Sequence, residues 1–431
     1  MATVISPVAD VCRAAKRAAS QLARVDARVK DAALEAIAAA LEDRMSEILE
    51  ANDRDMQAGR EAEIGDALLD RLRLDETRVS QIARAVRQIA TLADPVGEVI
   101  EGRRLPNGLD VRKVRVPLGV VAVVYEARPN VTIDAAALCL KSGNAIVLRG
   151  SSSAAHSNAS LAEIAAEAAV AAGLPEGCVS LVAGGGREEL AELATQSETV
   201  DLIIPRGGES LKAALEAVAT VPVIYAASGN CHIYVDASAD LEQAVAIVIN
   251  AKTQRPGVCN AVETLLVHRD AAAALLPAIL RSLAGAGVLV RGDERTLALA
   301  AQDGEDRLTG TVLVLEQARE EDWSTEYLAL TITVGVVDSL EQAIEHIGRY
   351  GSGHSEAIVT RDTASARAFQ LGVDAACVYV NASTRFTDGG EFGMGAEIGN
   401  STQKLHARGP IGLRELCTFK YLVEGDGHVR D

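Results

Sequence analysis

Hydrophobic and polar positions follow two different periods along the chain. From about Val8 to Ala90 the apolar positions recur at three- and four-residue spacing, which predicts packed amphipathic helices. Short apolar runs then alternate with Ala-rich stretches such as Ala154–Ala172. We predict strands in these runs, at Val120–Tyr125, Ala145–Arg149, Val179–Val182, Leu202–Pro205 and Val221–Tyr225. Strands alternating with helices at this spacing indicate a parallel sheet with right-handed crossovers.

A second section of strands and helices begins near Lys252. It predicts strands at Glu263–Val267, Gly287–Val290 and Ala357–Val359, and the chain ends in a β-like run at Phe419–Val423. We therefore predict an α/β protein in three parts. Residues 1–251 hold N-terminal helices and a first strand-and-helix section, of which a dinucleotide-binding domain is one natural use. Residues 252–384 hold the second section, and residues 385–431 a Gly-rich segment with a terminal strand.

The composition supports this class and limits the partners. Apolar residues make up 48% of the chain and aromatic residues only 3%, as expected for aliphatic strands covered by Ala-rich helices. The formal net charge is −18, from 60 acidic and 42 basic residues, so the long-range field repels nucleic acid and anionic membrane. A small anionic substrate would therefore need basic side chains gathered locally at its site.

Cysteine usage and the lack of long apolar runs predict a cytoplasmic protein. The seven cysteines are scattered without any CxxC pair, which is typical of reduced thiols. No run has the length of a membrane span, and residues 1–30 lack the apolar core of a signal peptide. The histidines show no HExxH arrangement, so we expect no metal site.

The turn Lys252–Asn260 is the strongest chemical signal. Cys259 follows Pro256 and Gly257 between a predicted helix and a predicted strand, where a thiol can be exposed. Flanking Lys252 and Arg255 would favour the thiolate and so lower the thiol pKa. The alternative, a cysteine acting as a small buried hydrophobe, remains open at this point.

Three turns after predicted strands are candidate phosphate sites. A GxGxxG fingerprint is absent, which disfavours an ordinary Rossmann dinucleotide site. The turns are Arg149–Ser153, Gly184–Gly186 and Arg206–Ser210, and each could direct backbone N–H groups toward a phosphate. Glycine and serine also simply close such turns, so each site has a structural alternative.

Several longer segments resemble a known family. Val116–Asn130, followed by Lys141–Arg149, resembles the cofactor domain of the aldehyde dehydrogenase superfamily. Three further segments are similar to its gamma-glutamyl phosphate reductase family: Gly229–Asp236 running on to the Arg255–Asn260 turn, Ala343–Ile358, and Arg385–Pro410. The resemblance covers nearly the whole chain.

The resemblance implies a fold and a reaction. The fold would be aldehyde dehydrogenase-like. Residues 1–251 would hold the N-terminal helices and a parallel-sheet dinucleotide-binding domain, residues 252–384 an α/β catalytic domain, and residues 385–431 a Gly-rich site segment with a small β oligomerisation and return element. The reaction would be NADPH-dependent reduction of L-glutamyl 5-phosphate to L-glutamate 5-semialdehyde through a thioester on Cys259, the second step of proline biosynthesis. The resemblance also implies a homo-oligomer, and it leaves open an association with glutamate 5-kinase.

It also implies roles for particular residues. Asn130 is the nearest match to the amide that stabilises the oxyanion, although an Asn capping the following helix is an equal alternative. Glu326 resembles the glutamate that contacts the nicotinamide ribose. Further cofactor contacts are expected at Arg149, Ser151, Ser152, Gly207 and Gly208. Local positive charge for the substrate would come from Arg255, Arg385, Lys404, His406 and Arg408, each of which has ordinary surface solvation as its alternative.

Two rival functions are weighed against this one. One is a hydrolytic aldehyde dehydrogenase, and the other is a catalytically silent nucleotide-binding or scaffold protein. Hydrolytic members of the superfamily carry a glutamate about 34 residues before the nucleophile, where it activates the water that cleaves the thioester. In this chain the same distance before Cys259 reaches Tyr225. No Asp or Glu occurs from Ala217 to Val235. In the reverse direction, oxidation of the aldehyde, we therefore expect phosphate and not water to attack the thioester.

Overall fold

The computed structural model describes residues 8–184, 186–225, 229–303 and 314–430. The chain divides into two compact units. The first unit contains the described residues up to 225, Gly393–Gly399 and the residues from Ile411 onward. The second contains the described residues from 229 to 392 together with Asn400–Pro410. The sequence-based boundary at residue 251 falls inside the second unit, and the division of the chain by function stays a prediction.

Five helices precede the first strands of the first unit. The apolar spacing predicted helices in this region, and the first of them buries Cys12, Ala15, Ala19 and Leu22 along one face. The helices are α1 (Val8–Leu22), α2 (Ala27–Asp43), α3 (Met45–Glu61), α4 (Asp66–Leu72) and α5 (Glu76–Ala90).

The first unit has one antiparallel and one parallel sheet. The antiparallel sheet joins β1 (Val99–Arg104), β2 (Asp110–Pro117) and β16 (Cys417–Glu424), with β2 in the middle. The parallel sheet contains β3 (Val120–Tyr125), β4 (Ala145–Gly150), β5 (Val179–Leu181) and β6 (Leu202–Arg206), in the order β5-β4-β3-β6. Its connecting helices are α6 (Asn130–Lys141), α7 (Ala155–Ala171), α8 (Arg187–Ala194) and α9 (Glu209–Glu216).

The strand predicted at Val221–Tyr225 is wrong. Only a single bridge forms there, between Val223 and Ile203. Pro222 accepts a hydrogen bond from the Ile203 N–H but has no N–H of its own to continue the ladder.

The second unit is built on a seven-stranded sheet in which every pairing is parallel. Its order is β10-β9-β11-β8-β7-β12-β13. The strands are β7 (Cys231–Val235), β8 (Val262–His268), β9 (Leu289–Gly292), β10 (Leu315–Gln317), β11 (Thr331–Val337), β12 (Ser355–Val359) and β13 (Cys377–Val380). A two-stranded ribbon pairs β14 (Asn400–Ser401) with β15 (Gly409–Pro410).

Helices cover both faces of this sheet. They are α10 (Leu241–Thr253), α11 (Arg269–Gly285), α12 (Glu294–Asp303), α13 (Leu340–Tyr350) and α14 (Thr363–Gly372). Alternate residues of β7 enter opposite cores, with Ile233 packing on one face and Tyr234 on the other. Among the helices of the described ranges, none is long and apolar enough to cross a membrane.

Candidate functional site

Cys259 lies in the turn between α10 and β8 and is partly exposed. All seven cysteines lie in the described part of the chain, and the other six are buried. Burial raises the pKa of Cys12 and of Cys178 to about 11, so these thiols stay protonated at neutral pH. Exposure therefore separates Cys259 from the other thiols as the candidate nucleophile.

The turn is fixed from one side by the segment after β13. The Asn260 side-chain amide donates to the carbonyl oxygen of Thr387 at 2.9 Å. In return, the Thr384 hydroxyl donates to the carbonyl oxygen of Asn260 at 2.6 Å. These two contacts hold the residue next to Cys259 in one position.

A glycine packs directly on the backbone of Cys259. A Cβ added to Gly229 would lie 1.5 Å from the Cys259 carbonyl oxygen, so no other residue fits without moving the turn. The Gly229 N–H donates to Glu326 Oε1 at 2.8 Å. The structure thus brings Glu326, predicted as a cofactor contact, to the backbone next to Cys259.

Arg385 supplies positive charge at the turn. Its Nε donates to Gln254 Oε1 at 2.8 Å, and its guanidinium also donates to Asn260 Oδ1. Burial and then the positive charge of Arg255 lower the pKa of Arg385, while the charge of Cys259 acts in the opposite direction. Two of the predicted substrate cations, Arg255 and Arg385, therefore share one electrostatic environment with Cys259.

Lys252 does not have the role that the sequence suggested. Its side chain is fully buried, and its Nζ lies 2.5 Å from Glu263 Oε2. Burial lowers the pKa of Lys252. The structure therefore does not support Lys252 as the cation that lowers the pKa of the Cys259 thiol, because the helix turns this side chain inward to pair with Glu263. A charged residue inside the apolar strand Val262–His268 was the available sequence signal for this partner.

The cations of the 400–410 segment are paired elsewhere in the second unit. Asp374 binds Arg408 at 2.8 Å and also binds Lys404. His406 is exposed and has a left-handed backbone, with φ at 69°. Asp374 thus partly offsets the positive charge of Lys404 and Arg408, a pairing that the sequence did not reveal.

In the first unit, the predicted cofactor loops lie at one edge of the parallel sheet. Ser151 and Ser152 follow β4, and Gly207 and Gly208 follow β6, so both loops leave the carboxyl ends of strands on either side of β3. In open α/β sheets this is the edge at which ligands bind. Of the triplet Gly184–Gly186, Gly185 lies outside the described residues.

Arg149 is buried at the end of β4. It donates to the carbonyl oxygen of Gly186 at 2.6 Å, and its Nε is buried with no partner among the described residues. Burial lowers the pKa of Arg149, and the charge of Glu189 partly opposes this effect. A buried guanidinium with an unused donor is suited to an anionic ligand.

A carboxylate occupies the turn after β6. Glu126 accepts a hydrogen bond from the Gly208 N–H at 3.3 Å, and a Cβ on Gly207 would lie 2.8 Å from the Glu126 carboxyl carbon. An anion that binds these amides would have to replace Glu126. The sequence prediction had not included Glu126.

Asn130 is the first residue of α6 and does not cap it. Pro129 occupies the cap position without a side-chain hydrogen bond. The Asn130 amide donates to Asp134 Oδ2 at 2.9 Å. Burial raises the pKa of Asp134 to about 6, against the effects of Asn130 and Arg206. The capping alternative is therefore wrong, whereas the oxyanion role stays a prediction.

Comparisons with known proteins give a consistent result. The profile of the aldehyde dehydrogenase family matches residues 6–323. A gamma-glutamyl phosphate reductase from Moorella thermoacetica is 54% identical over 416 residues, covering 96% of this chain and 97% of its own. One from Thermobifida fusca is 52% identical over 430 residues and covers both chains fully, at 100% each. The crystal structure of gamma-glutamyl phosphate reductase from Thermotoga maritima superposes with a TM-score of 0.94 at 45% identity, covering 99% of this chain and 100% of that one. The predicted aldehyde dehydrogenase-like α/β fold is confirmed.

Proposed function

The chain belongs to the aldehyde dehydrogenase family and, within it, to the gamma-glutamyl phosphate reductases, and from this premise we propose its reaction. The reaction is reduction of L-glutamyl 5-phosphate to L-glutamate 5-semialdehyde with NADPH and release of phosphate. It is the second step of proline biosynthesis from glutamate. The observation that carries the proposal is the partly exposed Cys259 thiol, which shares its surroundings with Arg385 and Arg255.

Cys259 is the nucleophile of this proposal. Its thiolate attacks the acyl carbon, the bond from that carbon to the phosphate oxygen breaks, and phosphate leaves with the electron pair. A thioester remains on Cys259. When bound, NADPH supplies the hydride that reduces this carbonyl. The resulting thiohemiacetal oxyanion re-forms the carbonyl, its C–S bond breaks, and Cys259 leaves as thiolate while the aldehyde forms.

The substrate phosphate and carboxylate require cations. Arg385 and Arg255 are proposed to bind the phosphate, and the support for this role is that Arg255 and Cys259 both act electrostatically on Arg385. Lys404, His406 and Arg408 are proposed for the remaining charged groups of the substrate. Asp374 would then exchange its contacts with Lys404 and Arg408 for solvent when substrate binds.

The cofactor is proposed to bind at the carboxyl edge of the four-stranded sheet. Arg149, with its buried and unused Nε, together with Ser151 and Ser152, suits the 2′-phosphate that distinguishes NADPH. The amides of Gly207 and Gly208 would bind the pyrophosphate after Glu126 moves away. Glu326 is proposed to contact the nicotinamide ribose.

Asn130 is proposed as a donor to the oxyanion of the tetrahedral species. The Asn130 side-chain amide donates to Asp134, so this role requires the amide to turn from Asp134 to the substrate. Removal of Asn130 would then lower kcat more than it changes KM.

The antiparallel sheet is proposed as the oligomerisation element of a homo-oligomer. Phe419, Tyr421 and Val423 of β16 are exposed, which is unusual for a row of large apolar side chains on one strand. We also propose a cytoplasmic location and a small-molecule substrate, without nucleic acid or membrane. Association with glutamate 5-kinase is a further proposal that follows from the instability of an acyl phosphate.

The test is oxidation of glutamate 5-semialdehyde with NADP+, followed as NADPH formation with and without phosphate. We expect turnover to depend on inorganic phosphate, because no Asp or Glu occurs from Ala217 to Val235 to activate water. Arsenate serves as a control anion of similar shape. Equal rates in phosphate-free buffer would replace this function with that of a hydrolytic aldehyde dehydrogenase.

A further inference from the structure

The ion pair of Lys252 and Glu263 lies wholly inside the second unit. Both side chains are 0% exposed, and Nζ and Oε2 are 2.5 Å apart. Nζ also donates to the carbonyl oxygen of Val262 at 3.0 Å. Removing two charges from water costs several kcal/mol per ion, and an apolar pair of the same volume often stabilises a fold at least as well. Stability alone therefore does not account for this pair.

The second oxygen of Glu263 meets a residue with a rare backbone conformation. Glu263 Oε1 accepts the N–H of Leu328 at 3.4 Å. Leu328 has a φ of 52°, in the left-handed region, which strains the backbone of a non-glycine residue. Its side chain is 48% exposed, so side-chain packing does little to hold it. The carboxylate of Glu263 is thus placed to maintain this backbone conformation.

The segment that Glu263 holds also carries Glu326. Glu326 lies two residues before Leu328, and its Oε1 accepts a hydrogen bond from the Gly229 N–H at 2.8 Å. Gly229 in turn packs on Cys259, with 1.5 Å between its would-be Cβ and the Cys259 carbonyl oxygen. One continuous set of contacts therefore runs from Lys252 through Glu263 and the 326–328 segment to the backbone of Cys259.

The charges agree with this connection. Burial raises the pKa of Glu263 to about 7, and the negative charge of Glu326 acts in the same direction. Glu326 also acts on Lys252, where its charge opposes the effect of burial. The charge of Glu326 therefore acts on both members of the buried pair.

We propose that Glu263 is a positioning residue for the nucleophile. Held by Lys252, it fixes the backbone of the 326–328 segment, and Glu326 then holds Gly229 against Cys259. Glu263 does not contact the substrate in this role. The inference rests on Cys259 as the nucleophile of the proposed function.

Two double variants isolate the contact with Leu328. Lys252→Met/Glu263→Gln removes both charges but leaves an oxygen that can accept the Leu328 N–H. Lys252→Met/Glu263→Leu removes both charges and the acceptor. The matched pair differs only in whether Leu328 has a hydrogen-bond partner, and neither variant leaves a buried charge unpaired.

We expect the glutamine variant to keep kcat within about 3-fold and the leucine variant to lose about 10-fold or more, with both KM values nearly unchanged. Alkylation of Cys259 by iodoacetamide, followed by mass spectrometry, should become faster in the leucine variant, because the turn is no longer confined. A general loss of folded protein would also expose the six buried cysteines. Their unchanged alkylation in the same mass spectra, together with a melting curve, separates a local change at Cys259 from unfolding.

A third variant serves as a rescue. Leu328→Gly, added to the leucine variant, removes the strain because glycine adopts positive φ freely. It should recover most of the lost kcat, or recover folded protein if the leucine variant does not fold. Failure of this rescue contradicts the proposal, as do equal kcat and alkylation rates in the two double variants. Because alkylation needs no substrate, its difference would persist even if the proposed reaction were wrong.

Discussion

Each unit has its candidate site at one edge of its own parallel sheet. The site of the first unit lies at the carboxyl ends of the strands, and the site of the second unit lies at the amino ends. In the first unit, the serine and glycine loops leave the carboxyl ends of β4 and β6. In the second unit, Gly229, Cys259 and Glu326 precede β7, β8 and β11, which are parallel and adjacent, so these residues lie at the amino edge. The first edge offers backbone amides and hydroxyls in short local turns. The second is assembled from side chains of distant segments and is supported by a buried ion pair.

This difference suggests that the first edge binds the cofactor and the second edge holds the reacting thiol. Strand-to-helix turns suit binding of a phosphate-bearing cofactor, since their amides need little support. A reacting thiol needs its carbonyl partner held to a fraction of an ångström, which requires packed supports around it. Variants at the two edges should therefore affect different kinetic constants.

The largest effect is expected from Cys259→Ser. We expect at least about a 1,000-fold loss of turnover, because a hydroxyl is a far weaker nucleophile than a thiolate. NADPH affinity, measured by fluorescence titration, should stay within a few-fold of the unmodified protein. Cys178→Ser, a buried thiol in the first unit, is the control for the loss of a sulfur atom. Near-normal turnover of the Cys259 variant would remove the second edge as the site of chemistry.

A smaller effect is expected at the other edge from Arg149→Gln. The protein should prefer NADPH to NADH, and this variant should reduce the ratio of the two kcat/KM values by about 10-fold or more. Saturating NADPH should restore kcat to within a few-fold. Ser152→Ala, an exposed position in the same loop, should reduce the ratio less. An unmodified protein with equal kcat/KM for both cofactors would place cofactor selection elsewhere.

Each unit also contains a carboxyl group whose pKa is raised by burial, and the two groups have different partners. Glu263 has a lysine at ion-pair distance, whereas Asp134 has the Asn130 amide, and burial raises the Asp134 pKa to about 6 from 3.8. The folded state therefore holds this proton to higher pH than the unfolded state does. The free energy of unfolding should fall as the pH rises from about 4 through 6.

Asp134→Asn should remove this pH dependence. Relative to the unmodified protein, the variant should gain roughly 1–3 kcal/mol between pH 4 and pH 8. Urea denaturation at both values measures it. Asp53→Asn, an exposed site on α3, is the control and should show no such gain. The same pH dependence in the Asp134 variant would assign the effect to another group.

The smallest effect is expected from Lys404→Met. The ion pair with Asp374 is exposed, so the free energy of unfolding should change by less than about 1 kcal/mol. KM for the acyl phosphate should rise a few-fold if Lys404 binds substrate, with the NADPH KM unchanged. Arg361→Met breaks a comparable exposed pair with Asp240 and is the matched control. Equal KM values in the two variants would leave Lys404 with surface solvation only.

The sequence predicted the first edge better than the second for a physical reason. The loops after β4 and β6 are local, so a strand pattern followed by Gly or Ser indicates them directly. The Cys259 turn was also visible locally, but its partners were not. Glu326 is 97 positions from Gly229, and Arg385 is 125 positions from Asn260. Contacts over such separations depend on the packing of the whole sheet, which no local pattern contains.

Two predictions that the structure does not support have the same origin. Lys252 was placed beside the thiol because the two are close in sequence, whereas the helix that carries it turns the side chain toward Glu263. Val221–Tyr225 has the composition of a strand but meets the sheet at a single bridge. In both cases the local sequence pattern was outweighed by a contact with a neighbouring strand. Lys252 pairs with Glu263 of β8, and Val223 bridges only Ile203 of β6.

The pairing of β2 with β16 has a consequence for biosynthesis. Arg112 and Glu424 on these strands are 312 positions apart in sequence, and the second unit lies between them. On the ribosome, β2 therefore has an unpaired edge until the whole second unit and then β16 have been made. An uncovered edge can pair with other chains, so this interval is when the nascent protein is most prone to aggregate. A slow, non-local closure of the antiparallel sheet should be the last event in folding of the first unit.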